Sequence, residues 1–186
     1  REAELINDVV VKSLNPKKNY LHIDVGGGST ELNFYRNQEK FASKSFKIGS
    51  VRLLEGKEKE GDWDKMKRWI SLQMESIKGP VLAVGTGGNI SKLYNLSTQV
   101  SDDKTMDLAE LKRIASYISS FTYEERVNKL RLNTDRADVI VPAASIYLTA
   151  MELAGCQSIF VPDLGLKDGI IQLLHERMQQ RKRSIS

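Results

Sequence analysis

Tyr20-Leu21-His22-Ile23-Asp24-Val25 runs into Gly26-Gly27-Gly28-Ser29, and Thr30-Glu31-Leu32-Asn33-Phe34-Tyr35-Arg36 follows directly. Both flanks are rich in aliphatic and aromatic residues, and the glycines between them allow a sharp turn, so the stretch predicts strands over 20–25 and 30–36. A third strand is expected over 41–48, after the connector Asn37-Gln38-Glu39-Lys40. Connectors this short join antiparallel neighbours, because a parallel pair needs a crossover of about a dozen residues or more.

Downstream of Gly49 the pattern turns helical. Asp62 is placed to cap a helix reaching about residue 77, and Lys78-Gly79-Pro80 leads into an apolar strand over 81–84 that ends in Gly85-Thr86-Gly87-Gly88. Asp107 with Glu110, and Thr122 with Glu125, have capping-box spacing, and Thr134 stands before a long apolar helix. A last strand is expected over 158–161 and a closing helix from 166 to about 178. At the front, Leu5, Ile6, Val9 and Val10 have helical spacing over 2–11, and Asn15-Pro16 closes that segment. Three antiparallel strands, then strands separated by helical crossovers, predict an α/β mixed sheet with helices on both faces, of the ribonuclease H-like kind. The expected organisation is one domain over 1–178 and a basic tail over 179–186.

The chain has 186 residues, 40% apolar and 28% charged, which suits one folded domain and excludes a wholly disordered chain. No apolar run reaches the roughly 18 residues of a membrane-spanning helix. Cys156 is the single cysteine, so no intrachain disulfide can form; the expected setting is the cytoplasm, with Cys156 an inert core thiol. His22 and His175 are too few and too far apart for a zinc site, which leaves carboxylates to hold any metal. The net charge of +4 permits an anionic partner without identifying one, and no specific nucleic-acid motif is present. The first residue is Arg1 and no apolar leader precedes the helix, which suggests a fragment.

Two segments carry the chemistry. Gly26, Gly27 and Gly28 let backbone N–H groups approach a phosphate without side-chain obstruction, and Ser29 and Thr30 add hydroxyls. Asp24 ends the first strand and Glu31 enters the second, so a fold at the glycines brings both carboxylates toward one cleft as ligands of magnesium or its waters. Gly85, Thr86, Gly87 and Gly88 stand between an apolar strand and a helix, where N-terminal N–H groups form an anion site. The competing reading of each glycine run is a ligand-free turn, and the presence of two favours function. Arg52 is a weaker candidate anion clamp, and His22, on the same strand parity as Asp24, reads as structural.

With those residues in view, the chain resembles the exopolyphosphatase and guanosine pentaphosphate phosphohydrolase family of the actin-like ATPase superfamily. Asp24-Val25-Gly26-Gly27-Gly28-Ser29-Thr30-Glu31 is similar to its D-hydrophobic-G-G-G-S-T-E loop, and Gly49-Ser50-Val51-Arg52-Leu53 to its G-A-V-R-L. Ala137-Asp138-Val139-Ile140-Val141-Pro142 resembles its late helix signature, and Asp163-Leu164-Gly165-Leu166-Lys167-Asp168-Gly169 its closing D-x-G-L-[RK]-[DE]-G. Glu2-Ala3-Glu4-Leu5-Ile6 is similar to its E-A-R-L-I, with Glu4 where the family commonly has Arg. Nothing matches the family's N-terminal lobe and its first phosphate loop, so the resemblance is to the second lobe alone.

The resemblance implies magnesium-dependent hydrolysis of the terminal phosphoanhydride of inorganic polyphosphate or guanosine pentaphosphate, with Glu2 orienting or deprotonating the attacking water. It implies the missing lobe as a partner, allows a homodimer, and leads us to expect a folded but nearly inactive fragment. The alternatives are a non-catalytic module that senses guanosine tetra- or pentaphosphate, and a sugar or acyl kinase lobe of the same superfamily.

Overall fold

A computed structural model of the chain describes residues 10, 11, 14–99 and 101–162. The strands are β1 (Asn19–Val25), β2 (Thr30–Arg36), β3 (Glu39–Phe46), β4 (Val81–Thr86), β5 (Thr105–Asp107) and β6 (Ser158–Phe160). The helices are α1 (Ser50–Leu54), α2 (Asp62–Glu75), α3 (Gly88–Asn95), α4 (Leu108–Ser119), α5 (Tyr123–Asn128), α6 (Thr134–Ala137) and α7 (Ile140–Leu153). Val10 and Val11 are helical; the other residues expected in the opening helix, the helix expected from 166 and the basic tail lie outside the described residues.

The sheet has the order β3-β2-β1-β4-β6-β5. β1, β2 and β3 are antiparallel neighbours, β4 runs parallel to β1, and β6 runs parallel to β4. This is the expected mixed sheet. Its β2–β3 connection is tighter than the sequence suggested: Asn37 and Gln38 alone form the turn, with φ of 53° and 64°. Two left-handed residues match a type I′ turn, whose twist suits an antiparallel hairpin. Strand β5, antiparallel to β6 at the edge, was not foreseen. It is three residues long with only Met106 buried, too short to carry a period.

Alternation along β1 divides the core. Leu21, Ile23 and Val25 face a large cluster with Leu32 and Phe34 of β2, Leu111 and Ile114 of α4, and Ile146 and Ala150 of α7. Helix α7 is buried along most of its surface, consistent with its near-continuous apolar sequence. On the opposite face Tyr20, Tyr35 and Val84 pack with Val10 and Val11. Cys156 is buried, and that burial pushes its thiol pKa up to about 12, which removes it from nucleophilic chemistry at neutral pH.

The two segments with capping-box spacing behave differently. Thr122 Oγ1 accepts from the Glu125 N–H at 3.2 Å and Glu125 Oε2 accepts from the Thr122 N–H at 3.1 Å, which completes the box. Asp107 makes no side-chain cap. Glu110 is instead buried and accepts from Ser97 Oγ (2.9 Å), the Thr98 N–H (3.2 Å) and both Nε and Nη2 of Arg113 (2.7 and 2.8 Å). The loop after α3 supplies donors that outcompete the helix end. Asp62 likewise is the first residue of α2 and not its cap; Gly61 takes that place at φ 82°.

Those bonds, the Arg113 fork foremost, hold the Glu110 pKa at about 2, below its ordinary 4.5. A depressed carboxylate contributes stability that is full above about pH 4.5 and is lost as pH falls through about 2. Chemical denaturation between those values should show a shallower acid loss for Glu110→Gln than for the parent chain. Identical acid slopes would remove Glu110 from the account.

Candidate active site

The parallel pairing of β1 and β4 ends at Asp24 opposite Thr86. Beyond that pair β1 continues into residues 26–29 and β4 into Gly87 and Gly88, so both glycine turns lie at the C-terminal ends of the two central strands. The Tyr147 hydroxyl fills the wedge between them: it donates to the Thr86 carbonyl at 2.8 Å and accepts from the Val25 N–H at 3.4 Å. Burial, and then the charge of Asp24, push the Tyr147 pKa far up, while Arg136 pulls it down. Both charges therefore act on one hydroxyl, which stays a neutral brace.

In the first turn Gly26 N–H closes on the Ser29 carbonyl at 2.9 Å. The Gly26 carbonyl accepts from Ser50 N–H (2.9 Å), and the Gly27 carbonyl from Val51 and Arg52 N–H (3.0 Å each). Helix α1 thus draws the carbonyls to one side, and the N–H groups of Gly27 and Gly28 have no backbone acceptor among the described residues. Arg52 donates through Nε to the Gly28 carbonyl (3.1 Å) and through Nη1 to the Lys57 carbonyl (3.2 Å), so the expected anion clamp serves as a brace of the loop. The Thr30 hydroxyl is buried and donates to the Ile48 carbonyl at 2.7 Å, which commits it internally. Ser29 is half-buried at the turn.

The second turn is narrower than its glycine run. Gly85 lies within β4, and a Cβ there would come within 2.8 Å of Ile90 and Ile159, so this glycine answers a packing need. Thr86 is buried, with Oγ1 bonded to His22 Nε2 at 2.8 Å. Gly87 and Gly88 lie beside charged groups. Gly87 takes φ 105°, open to glycine at no steric cost, and a Cβ there would approach Asp24 Oδ1 to 3.3 Å. A Cβ on Gly88 would lie 2.6 Å from Arg136 Nη2. Arg136 is anchored by Nη1 donating to Asn89 Oδ1 at 2.7 Å. The first N–H groups of α3 have no intrahelical acceptor and add their partial positive charge. Next to them opens a cleft of about 260 Å³ lined by Gly88, Ser91, Lys92, Asn95, Asn133 and Arg136.

A carboxylate at one glycine and a guanidinium at the next can hold a phosphate chain, with cations on its oxygens and backbone N–H groups on its end. The family model described as the Ppx/GppA phosphatase family matches residues 1–177. The chain belongs to the Ppx/GppA phosphatase family. A guanosine-5'-triphosphate,3'-diphosphate pyrophosphatase of Aliivibrio fischeri strain MJ11 is 27% identical, over 97% of this chain and 39% of that protein. Exopolyphosphatase 1 of Mycobacterium leprae is 23% identical, over 81% of this chain and 50% of that protein. The crystal structure of the Aquifex aeolicus Ppx/GppA family member superposes with a TM-score of 0.68 at 27% identity, covering 94% of this chain and 62% of that one. An exopolyphosphatase from Cytophaga hutchinsonii shares the fold, with a TM-score of 0.70 at 22% identity over 93% of this chain and 62% of that one. The chain spans about two-fifths of the length of the first of these relatives.

The strand register offers a place for a hard cation. Asp24 pairs with Glu31 across β1 and β2, which puts both carboxylates on one face of the sheet, Glu31 exposed and Asp24 half-buried. Among the described residues no three His, Cys, Asp or Glu side chains gather as a metal cluster. Two carboxylate side chains suit a hard divalent cation that keeps several of its waters. Sequence reasoning missed Arg136. It adjoins the late signature at Ala137-Asp138, but no spacing rule links it to Gly88. Glu2 lies outside the described residues.

Proposed function

We propose that the chain is the second lobe of an enzyme that hydrolyses the terminal phosphoanhydride of inorganic polyphosphate or guanosine pentaphosphate. The observation that carries this reading is the placement of two glycine turns at the ends of β1 and β4, with Asp24 before the first and beside Gly87, and Arg136 beside Gly88. The names of the Aliivibrio and Mycobacterium relatives support the two substrates.

In this reading the N–H groups of Gly27 and Gly28 and the N-terminus of α3 take phosphate oxygens, and Arg136 with Lys92 draws the following phosphates into the cleft. Asp24 and Glu31 would hold magnesium, which supplies charge neutralisation on the transferred phosphoryl. Tyr147 holds the two turns at fixed separation. Glu2 orients the attacking water, an assignment that rests on its match to the family segment. The N-terminal lobe closes the cleft, and the setting is cytoplasmic. Among the described residues no helix is long and apolar enough to cross a membrane.

Phosphate release from polyphosphate and guanosine pentaphosphate, measured with no nucleotide acceptor, tests the reading. The full-length parent should release phosphate, and the 186-residue chain alone should melt cooperatively with almost no turnover. Arg136→Ala in the parent should raise KM about tenfold or more, the scale of a lost charge-assisted contact of about 1.5–3 kcal/mol. Transfer only to an acceptor would favour the kinase alternative, and tight binding without turnover by the parent would favour the sensor.

A further inference from the structure

His22 stands in the middle of β1, between Leu21 and Ile23, and is fully buried. It belongs to a polar line that crosses four strands. Its register partner on β2 is Asn33, and the partner of Asn33 on β3 is Ser43. Ser43 Oγ donates to Asn33 Oδ1 at 2.6 Å. That bond turns the amide nitrogen inward, 3.1 Å from His22 Nδ1. Nδ1 is therefore the acceptor, the imidazole proton sits on Nε2, and Nε2–H donates to Thr86 Oγ1 at 2.8 Å.

Thr86 is the residue before the second glycine turn. Its hydroxyl is held by His22, while its carbonyl is held by the Tyr147 hydroxyl. Gly87 and Gly88 have no side chains of their own: on the helix side the Gly87 carbonyl accepts from Ser91 N–H and Oγ, and on the strand side the grip on Thr86 anchors the turn. A buried histidine among aliphatic neighbours is costly to desolvate unless its nitrogens are partnered, and here the partners fix one proton arrangement.

We infer that His22 is a positioning residue for phosphate binding: through Thr86 it sets the distance between the Gly87–Gly88 turn and Asp24. The inference rests on the reading that this turn receives phosphate.

The test compares His22→Phe, which keeps a ring and removes both bonds, with His22→Gln, whose amide nitrogen can replace Nε2–H, in the full-length protein hydrolysing inorganic tripolyphosphate. His22→Phe should raise KM about tenfold with kcat within about threefold, and His22→Gln should recover most of the loss. If His22→Phe does not fold, Thr86→Val removes the same bond and Thr86→Ser restores it, with the same pattern expected. A lowered melting temperature with unchanged KM, or no difference between the Phe and Gln variants, overturns the inference. Arg136→Ala, measured alongside, separates the two claims: unchanged KM there removes the phosphate site itself, whereas a raised KM there with normal KM in His22→Phe removes only the role of His22.

Discussion

Asp24→Asn in the full-length protein should lower phosphate release by about 10²–10³-fold, the scale of removing one preorganised charged group from a transition state. The substitution keeps the shape of the side chain, so the change is one of charge. Asp24 sits on the last rung between β1 and β4, with Oδ1 beside Gly87 and its carboxylate on the same face as Glu31. An amide there is a neutral oxygen donor and weakens a hard-cation site, so the magnesium concentration needed for half-maximal turnover should rise as turnover falls. Tyr147 supplies an internal control. Burial is the larger cause of its raised pKa and Asp24 the second, so the hydroxyl stays protonated in the variant and the bridge between Val25 and Thr86 persists. The melting temperature should therefore change little. A folded Asp24→Asn protein with unaltered magnesium dependence would show that the cation is held elsewhere.

Local signals made the strand half of the sheet legible. Leu21, Ile23 and Val25 alternate with Tyr20, His22 and Asp24, and that alternation divides the two faces in the structure. Once β1 and β2 are hairpin neighbours, the shared face of Asp24 and Glu31 follows from the register. Contacts between distant segments were not legible. Arg136 reaches Gly88 only because α6 folds back beside α3, and no feature of Thr134-Asp135-Arg136 announces it. The roles within the second turn divide for the same reason: Gly85 is needed by Ile90 and Ile159, which lie on other elements, and only Gly87 and Gly88 face the charged groups. His22 read as a structural histidine, and it is buried and bonded as such. The direction of its bonds depends on Asn33 and Ser43, each on a different strand. Capping-box spacing was a sound guide at exposed Thr122, where no other donors compete, and failed at Glu110, where Ser97, Thr98 and Arg113 do.

Gly49→Ala should destabilise the chain by roughly 3 kcal/mol, the upper part of the usual range for overpacking, and lower the melting temperature by roughly 6–12 °C. The backbone conformation is not the cause, since Gly49 at φ −143° and ψ 161° is extended and open to any residue. Space is the cause. An added Cβ would meet the Gly27 carbonyl oxygen and would lie 2.5 Å from the Gly27 carbonyl carbon and 2.6 Å from that of Gly28, all backbone atoms of the first turn. The Gly27 carbonyl is tied to α1 by the Val51 and Arg52 N–H groups and the neighbouring Gly26 carbonyl by the Ser50 N–H, so relief requires the turn and the helix to part. Gly88→Ala makes the complementary case. There the obstruction is the end of the Arg136 side chain, which can swing away, and alanine is a better helix former than glycine by about 1 kcal/mol. Gly88→Ala should leave the melting temperature within a few degrees of the parent and raise KM about tenfold, as Arg136 withdraws from the turn. Thermal melts and steady-state kinetics on the two variants should therefore separate: Gly49 loses fold and binding together, and Gly88 loses binding alone. Equal melting temperatures for both would mean that the first turn yields to α1 far more easily than its three backbone bonds imply.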